Sequence, residues 1–267
     1  MTRARFPAAL DGGAKARRAE RGSELLRPQR LLEEAARDAA RRAPPSGLGL
    51  DSPAVRQRMA DRLRADGLSC EPVLQALATV PRHEFVDSAL ANQAYEDTAL
   101  PIGHGQTISK PSVVARMLEL LFGGDNARAS GQLGRVLEIG TGCGYQAALL
   151  SQLARRVVSV ERIEPLHRKA RENLHGWRRS ELRLVFGDGR LGHAPNAPYD
   201  SIVAAAGGEA LPAAWIEQLA EGGRLVAPMH DAAAGGQVLC VLDRRGGLIE
   251  RRFHDAVHFV PLKSGTQ

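Results

Sequence analysis

The run Val136-Leu137-Glu138-Ile139-Gly140-Thr141-Gly142-Cys143-Gly144-Tyr145 constrains this chain more than any other segment. It reads as a buried strand that enters a glycine-rich turn and continues into a helix. Glycine lacks a Cβ, so Gly140, Gly142 and Gly144 let the backbone turn sharply and let a ligand approach it closely. In open α/β sheets ligands bind at the carboxyl ends of the strands, where strand order reverses. The next apolar run, Val157-Val158-Ser159-Val160, ends in Glu161. A carboxylate about twenty residues beyond a glycine loop is placed to accept hydrogen bonds from both ribose hydroxyls. The pattern points to a nucleoside-bearing cofactor.

The details select among such cofactors. A dinucleotide loop has the spacing G-x-G-x-x-G, with its third glycine packing helix against strand. Here the spacing is G-x-G-x-G, and Tyr145 takes the place of that third glycine. No G-K-S/T follows to hold phosphates, and Glu138, just before the turn, repels a pyrophosphate. The same carboxylate suits the ammonium of a methionine moiety, directly or through water. These residues favour S-adenosylmethionine.

The rest of the chain reads as an α/β protein. Strands are predicted over 135–139, 156–160, 182–186, 201–204, 223–228, 237–243 and 247–253. Helices are predicted over 145–154, 165–175 and 212–220, with earlier helices over 53–67, 72–80 and 109–122. Ser109 is a candidate cap for the last of these, with Pro111 in its first turn. Strand–helix alternation up to Gly223 predicts a parallel sheet, and Arg244-Arg245-Gly246-Gly247 predicts a closing antiparallel hairpin. This is the Rossmann-like shape of class I methyltransferases, with a helical segment over 51–134 ahead of a core over 135–267.

Charge argues against a nucleic-acid partner. The first fifty residues hold 11 Lys+Arg against 6 Asp+Glu, and the remainder 25 against 24. The basicity belongs to the amino-terminal stretch, read as a flexible extension whose helix-forming run over 25–42 meets the breaker Ala43-Pro44-Pro45-Ser46-Gly47. A near-neutral body lacks the basic groove that phosphates require. No apolar run approaches the roughly 18–20 residues that span a membrane, and no secretory signal is evident, so a cytoplasmic monomer is expected. Cys70, Cys143 and Cys240 form no C-x-x-C pair, so neither a metal site nor a disulfide is indicated. Cys143 reads as a small residue in tight packing.

Further motifs carry a family resemblance. They are Pro81-Arg82-x-x-Phe85-Val86-Asp87, Leu100-Pro101-Ile102-Gly103-x-Gly105-Gln106-Thr107-Ile108-Ser109, Val160-Glu161-Arg162, Gly187-Asp188-Gly189, Ala197-Pro198-Tyr199-Asp200 and Phe259-Val260-Pro261-Leu262. With the glycine loop, they resemble the protein-L-isoaspartate O-methyltransferase family over about residues 53–264. The resemblance implies methyl transfer from S-adenosylmethionine to the α-carboxylate of L-isoaspartyl residues, and of D-aspartyl residues, in damaged proteins. It implies cofactor contacts from Glu138, Gly140, Thr141, Gly142, Gly144, Glu161, Arg162, Gly187, Asp188 and Gly189. It implies a substrate site at Gln106, Thr107, Ile108, Ser109, Val260, Pro261 and Leu262, with Ser109 as the active-site hydroxyl. Asp188 suits the adenine amine, and His104 and His258 lie beside these motifs. One departure stands out: Ala204-Ala205-Ala206-Gly207-Gly208 replaces a hydroxyl- and proline-bearing stretch, which predicts a looser pocket wall.

The chemistry fits this reading. A carboxylate with a reference pKa of about 3.9 is ionised at neutral pH, so the reaction needs alignment and exclusion of water more than a base. A serine hydroxyl can aim a carboxylate without neutralising it. The alternatives are a class I methyltransferase with a different carboxylate or small-molecule acceptor, and a binding module that keeps cofactor affinity without turnover.

Overall fold

Proline opens the three helices that flank the substrate motif. In the computed structural model, which describes residues 52–177 and 181–267, α1 (Pro53–Ala65), α2 (Glu71–Thr79) and α3 (Pro111–Phe122) each have proline at one of their first two positions, where no amide hydrogen is needed. The extension over 1–50 lies outside the described residues. Ser52 caps α1 by accepting from the Ala54 amide. Between α2 and α3 the chain forms a small hairpin, β1 (Leu100–Gly103) and β2 (Gln106–Ile108). Its two-residue turn places His104 at φ 53° and Gly105 at φ 66°, the left-handed pair that matches strand twist. Strands of four and three residues give too little alternation to be detected from sequence, so the hairpin is not among the predicted elements.

A short α4 (Asp125–Ser130), also unforeseen, leads into the main sheet. Its strands are β3 (Arg135–Ile139), β4 (Arg156–Glu161), β5 (Leu182–Phe186), β6 (Tyr199–Ala204), β7 (Leu219–Asp231), β8 (Gly236–Arg245) and β9 (Leu248–Val257). The spatial order is β5-β4-β3-β6-β7-β8-β9. The first five are mutually parallel, and β8 and β9 add an antiparallel end. The crossovers carry α5 (Tyr145–Leu153), α6 (Glu164–Asn173) and α7 (Ala213–Glu217). α7 stops short of the predicted Ala220 because the chain joins the sheet at Leu219, opposite Tyr199.

Strand alternation sorts the two cores. Leu137, Val158, Ile202 and Leu225 point to one face, where Trp215 covers them. Val136, Val157, Val203 and Val226 point to the other, beneath α2, α3 and α5. The same alternation puts Glu138 and Ser159 on this second face, directly opposite each other across β3 and β4. Beyond the sheet centre, buried Asp243 accepts two hydrogen bonds from Arg224, at 2.6 and 2.8 Å, and one from Arg252. Arg224 also donates to the Leu120 carbonyl and so ties β7 to α3. Among the described residues no helix is long and apolar enough to cross a membrane.

Candidate active site

The carboxyl ends of β3, β4 and β6 open into a cleft of about 200 Å³. Gly140, Gly142, Glu161, Arg162 and Gly189 line one side; Gln106, Thr107, Val260, Pro261 and Leu262 line the other, with His104 at the rim. Residues predicted from two separate arguments, one for a cofactor and one for an acceptor, therefore share one cavity.

Glu161 is buried at the end of β4, and its two oxygens accept from the Gly142 and Ile163 amides, each at 2.9 Å. Gly142 reaches that bond at φ 56°. A carboxylate has about four acceptor positions, so each oxygen retains capacity toward the cleft, as a vicinal diol requires. Glu138 lies beneath the turn with no exposed surface. Its Oε2 accepts from Ser159, whose oxygen must then accept from the Thr141 hydroxyl at 2.6 Å. Its Oε1 has no partner of full hydrogen-bond geometry, and the buried Gln146 amide beside it favours the ionised form. Burial pushes the Glu138 carboxyl up to about 8, and the neighbouring Glu161 charge acts in the same direction. A buried carboxyl behind a glycine turn opposes a phosphate. With the Glu161 carboxylate on the cleft wall, the acceptors present suit a nucleoside with an amino-acid tail.

Several predicted cofactor residues are not on the cleft wall, and Glu138, fully buried, is one of them. Gly144, at φ 94°, packs against α6: a Cβ there would lie 2.9 Å from Leu174 Cδ1. Thr141 is buried in the relay to Glu138. Gly187 continues β5 by donating to the Glu161 carbonyl. Asp188 accepts from the Arg190 amide at 2.9 Å and from the Gly265 amide at 2.6 Å, so both oxygens already hold backbone. Arg162 does line the cleft, but its guanidinium holds the carboxyl-terminal residues through the Gly265 carbonyl at 2.8 Å. Asp188 and Arg162 thus anchor a segment whose Lys263 and Gln267 border the cleft.

Ser109 opens on a second cavity of about 420 Å³, which shares Thr107, Ala205 and Val260 with the first. Lys110 and His258 border it too. Ile108, the last residue of β2 and predicted to contact substrate, is buried in the core and lines neither cavity. Ser109 does not cap α3. Asp97 does so, accepting from the Ser112 amide at 2.8 Å and from its hydroxyl at 2.7 Å. Among the described residues nothing hydrogen-bonds the Ser109 hydroxyl, which leaves it available to a ligand.

The pocket wall read as loose is held instead. Gly207 donates to the Val260 carbonyl at 2.9 Å and accepts from the Leu262 amide at 2.6 Å. A proline would have no hydrogen for the first bond. Cys143 is buried and its thiol is pushed up by burial, so it packs and does not attack. Asp97 and Gln237, which holds the Phe259 amide at 2.7 Å, act across long separations that no local sequence pattern marks. Arg82 belonged to a recognised motif without an assigned task.

The sequence matches, over residues 54–267, the family described as protein-L-isoaspartate(D-aspartate) O-methyltransferase. It is 61% identical to the protein-L-isoaspartate O-methyltransferase of Methylibium petroleiphilum, over 98% of this chain and 96% of that protein. The chain belongs to the protein-L-isoaspartate(D-aspartate) O-methyltransferase family. A second member, from Leptothrix cholodnii, is 64% identical over 90% of this chain and 84% of its own length. A solved protein-L-isoaspartate O-methyltransferase superposes with TM-score 0.69 at 28% identity; the match covers 78% of this chain and 66% of that one, just under two thirds. A Plasmodium falciparum structure described as a putative family member, in complex with S-adenosyl-L-homocysteine, gives TM-score 0.65 at 22% identity. It covers 78% of this chain and 98% of that chain, and bears on the fold alone.

Proposed function

We propose that the protein transfers a methyl group from S-adenosylmethionine to the α-carboxylate of L-isoaspartyl residues, and of D-aspartyl residues, in damaged proteins. One observation carries this reading. A cleft with the Glu161 carboxylate on its wall meets, at Thr107, Ala205 and Val260, a second cavity with an unengaged serine hydroxyl. S-adenosylmethionine supplies a methyl group on a cationic sulfur. Glu161 would hold the ribose hydroxyls, and Glu138, buried behind the glycine turn with Ser159 and Thr141, would favour the ammonium by its charge rather than by direct contact. Ser109 donates to one oxygen of the acceptor carboxylate and leaves the other free to attack. The acceptor is already ionised, so no side chain needs to remove a proton. The amino end of α3, where Lys110 stands, adds a favourable field for an anion. Segment 259–262 limits water at the junction, because Gly207 pins it. Closure of the ester to a succinimide and hydrolysis then return part of the product as normal aspartate, which makes the reaction a repair. A different carboxylate or small-molecule acceptor is not favoured, since the family match includes both the serine motif and the closing segment.

The test uses labelled S-adenosylmethionine with an isoaspartyl peptide and its aspartyl twin. Methylation confined to the isoaspartyl peptide is expected. Equal labelling of both, or of neither, would sink the assignment.

A further inference from the structure

Arg82 is the largest charged side chain with no exposed surface. It opens a single 3₁₀ turn, Arg82–Phe85. No carboxylate of the described residues lies within ion-pair distance of it, and burial lowers its pKa. An unpaired buried cation is costly, so its contacts need a reason. Its Nε donates to the Ala94 carbonyl at 2.8 Å, and one terminal nitrogen donates to the Ser109 carbonyl at 2.7 Å. The guanidinium lies over the Tyr145 ring, 4.9 Å from its centroid. Its remaining nitrogen and the Tyr145 hydroxyl are both buried without a partner of full hydrogen-bond geometry.

These contacts join the two halves of the site. Ser109 lies between β2, which ends at Ile108, and α3, which begins at Pro111. Its carbonyl belongs to neither ladder, and among the described residues Arg82 alone holds it. Tyr145 is the first residue of α5 and follows the glycine turn directly. Phe85, from the same 3₁₀ turn, meets the Tyr145 ring edge-on at 5.6 Å. One planar fork thus fixes the backbone of the acceptor-side serine against the base of the cofactor loop.

We propose that Arg82 is a positioning residue for methyl transfer, setting the placement of Ser109 relative to the glycine turn through Tyr145. The inference rests on the methyltransferase reading above. In-line transfer between two separately bound groups is sensitive to misplacement: an error of about 1 Å can cost about 100-fold in rate. Lysine keeps the charge but cannot donate to two carbonyls while lying flat on a ring. The defect should therefore fall on the chemical step and leave the affinity for each ligand largely intact.

The experiment uses the full chain with Arg82→Lys. It measures kcat, KM for an isoaspartyl peptide, the Kd of S-adenosylhomocysteine by calorimetry, and thermal unfolding. Folded Arg82→Lys should lose about 10- to 100-fold in kcat, with the homocysteine Kd and the peptide KM changed by less than about threefold. Tyr145→Leu removes the ring and leaves the Ser109 bond in place; it should show the same split to a smaller degree. It carries the test if the lysine variant does not fold. In the double variant the losses should be less than multiplicative, because both act through one unit. A folded Arg82→Lys enzyme with kcat within about twofold of the parent overturns the proposal, as does a parallel loss of homocysteine affinity in either variant. A parent enzyme that does not methylate the peptide refutes the underlying assignment instead.

Discussion

At the scale of single residues, Glu138 shows how a binding group is kept ready. Its carboxyl is pushed up to about 8 from an ordinary 4.5, mainly because it is buried. The folded protein therefore holds this proton more tightly than the unfolded chain does. The associated stability is complete below about pH 4.5 and is lost as pH rises through about 8. Glu138→Gln has no proton to lose. Urea unfolding at a series of pH values should show the variant gaining on the parent across that window, by an amount on the order of a few kcal/mol. Parallel curves would mean that the carboxyl is not held neutral. Its affinity for S-adenosylhomocysteine should differ from the parent's most above about pH 8, where the parent carboxyl is ionised. Ser109→Ala makes a contrasting case: kcat should fall about 10- to 100-fold for one lost charge-assisted donor, while calorimetry shows cofactor affinity nearly unchanged. Both residues were legible in the sequence, Glu138 because an acid inside an apolar strand is expensive and Ser109 because of its motif. Arg82 and Asp97 were not assigned roles, because their partners lie 12 to 27 positions away.

At the scale of elements, the sheet was legible because its strands are apolar runs separated by helices of clear period. The hairpin β1–β2 was too short to read, and the end of α7 was decided by pairing of Leu219 that no local pattern encodes. The wall formed by Ala204–Gly208 was misread for a similar reason. Its rigidity comes from backbone bonds to a segment fifty residues away. A Cβ at Gly207 would lie 2.7 Å from Gln237 Nε2, and Gln237 Oε1 holds the Phe259 amide at 2.7 Å. Gly207→Ala should displace that amide side chain and loosen 259–262. The expected result is a peptide KM raised about 3- to 10-fold, the equivalent of one hydrogen bond, with homocysteine affinity unchanged in calorimetry. An unchanged KM would show that the segment does not border the peptide. Asp97→Ala should remove the cap of α3 at about 1 kcal/mol, seen as a drop of roughly 2–4 °C in Tm.

At the scale of the whole molecule, charge and fold are separated along the chain. The family match begins at residue 54, and the described residues from 52 onward cluster as one compact unit. The first fifty residues carry an excess of five positive charges, while the rest is nearly balanced. Every side chain assigned a task in methyl transfer lies in the balanced part. A protein lacking residues 1–50 should therefore keep kcat/KM for an isoaspartyl peptide within about twofold of the full chain, a change no larger than a surface charge effect. Its Tm should also be unchanged. The informative contrary result is a truncated protein that unfolds normally and binds S-adenosylhomocysteine normally but no longer methylates the peptide. That would assign the extension a part in holding the acceptor, and salt titration of KM in the full chain would show whether its arginines supply the hold.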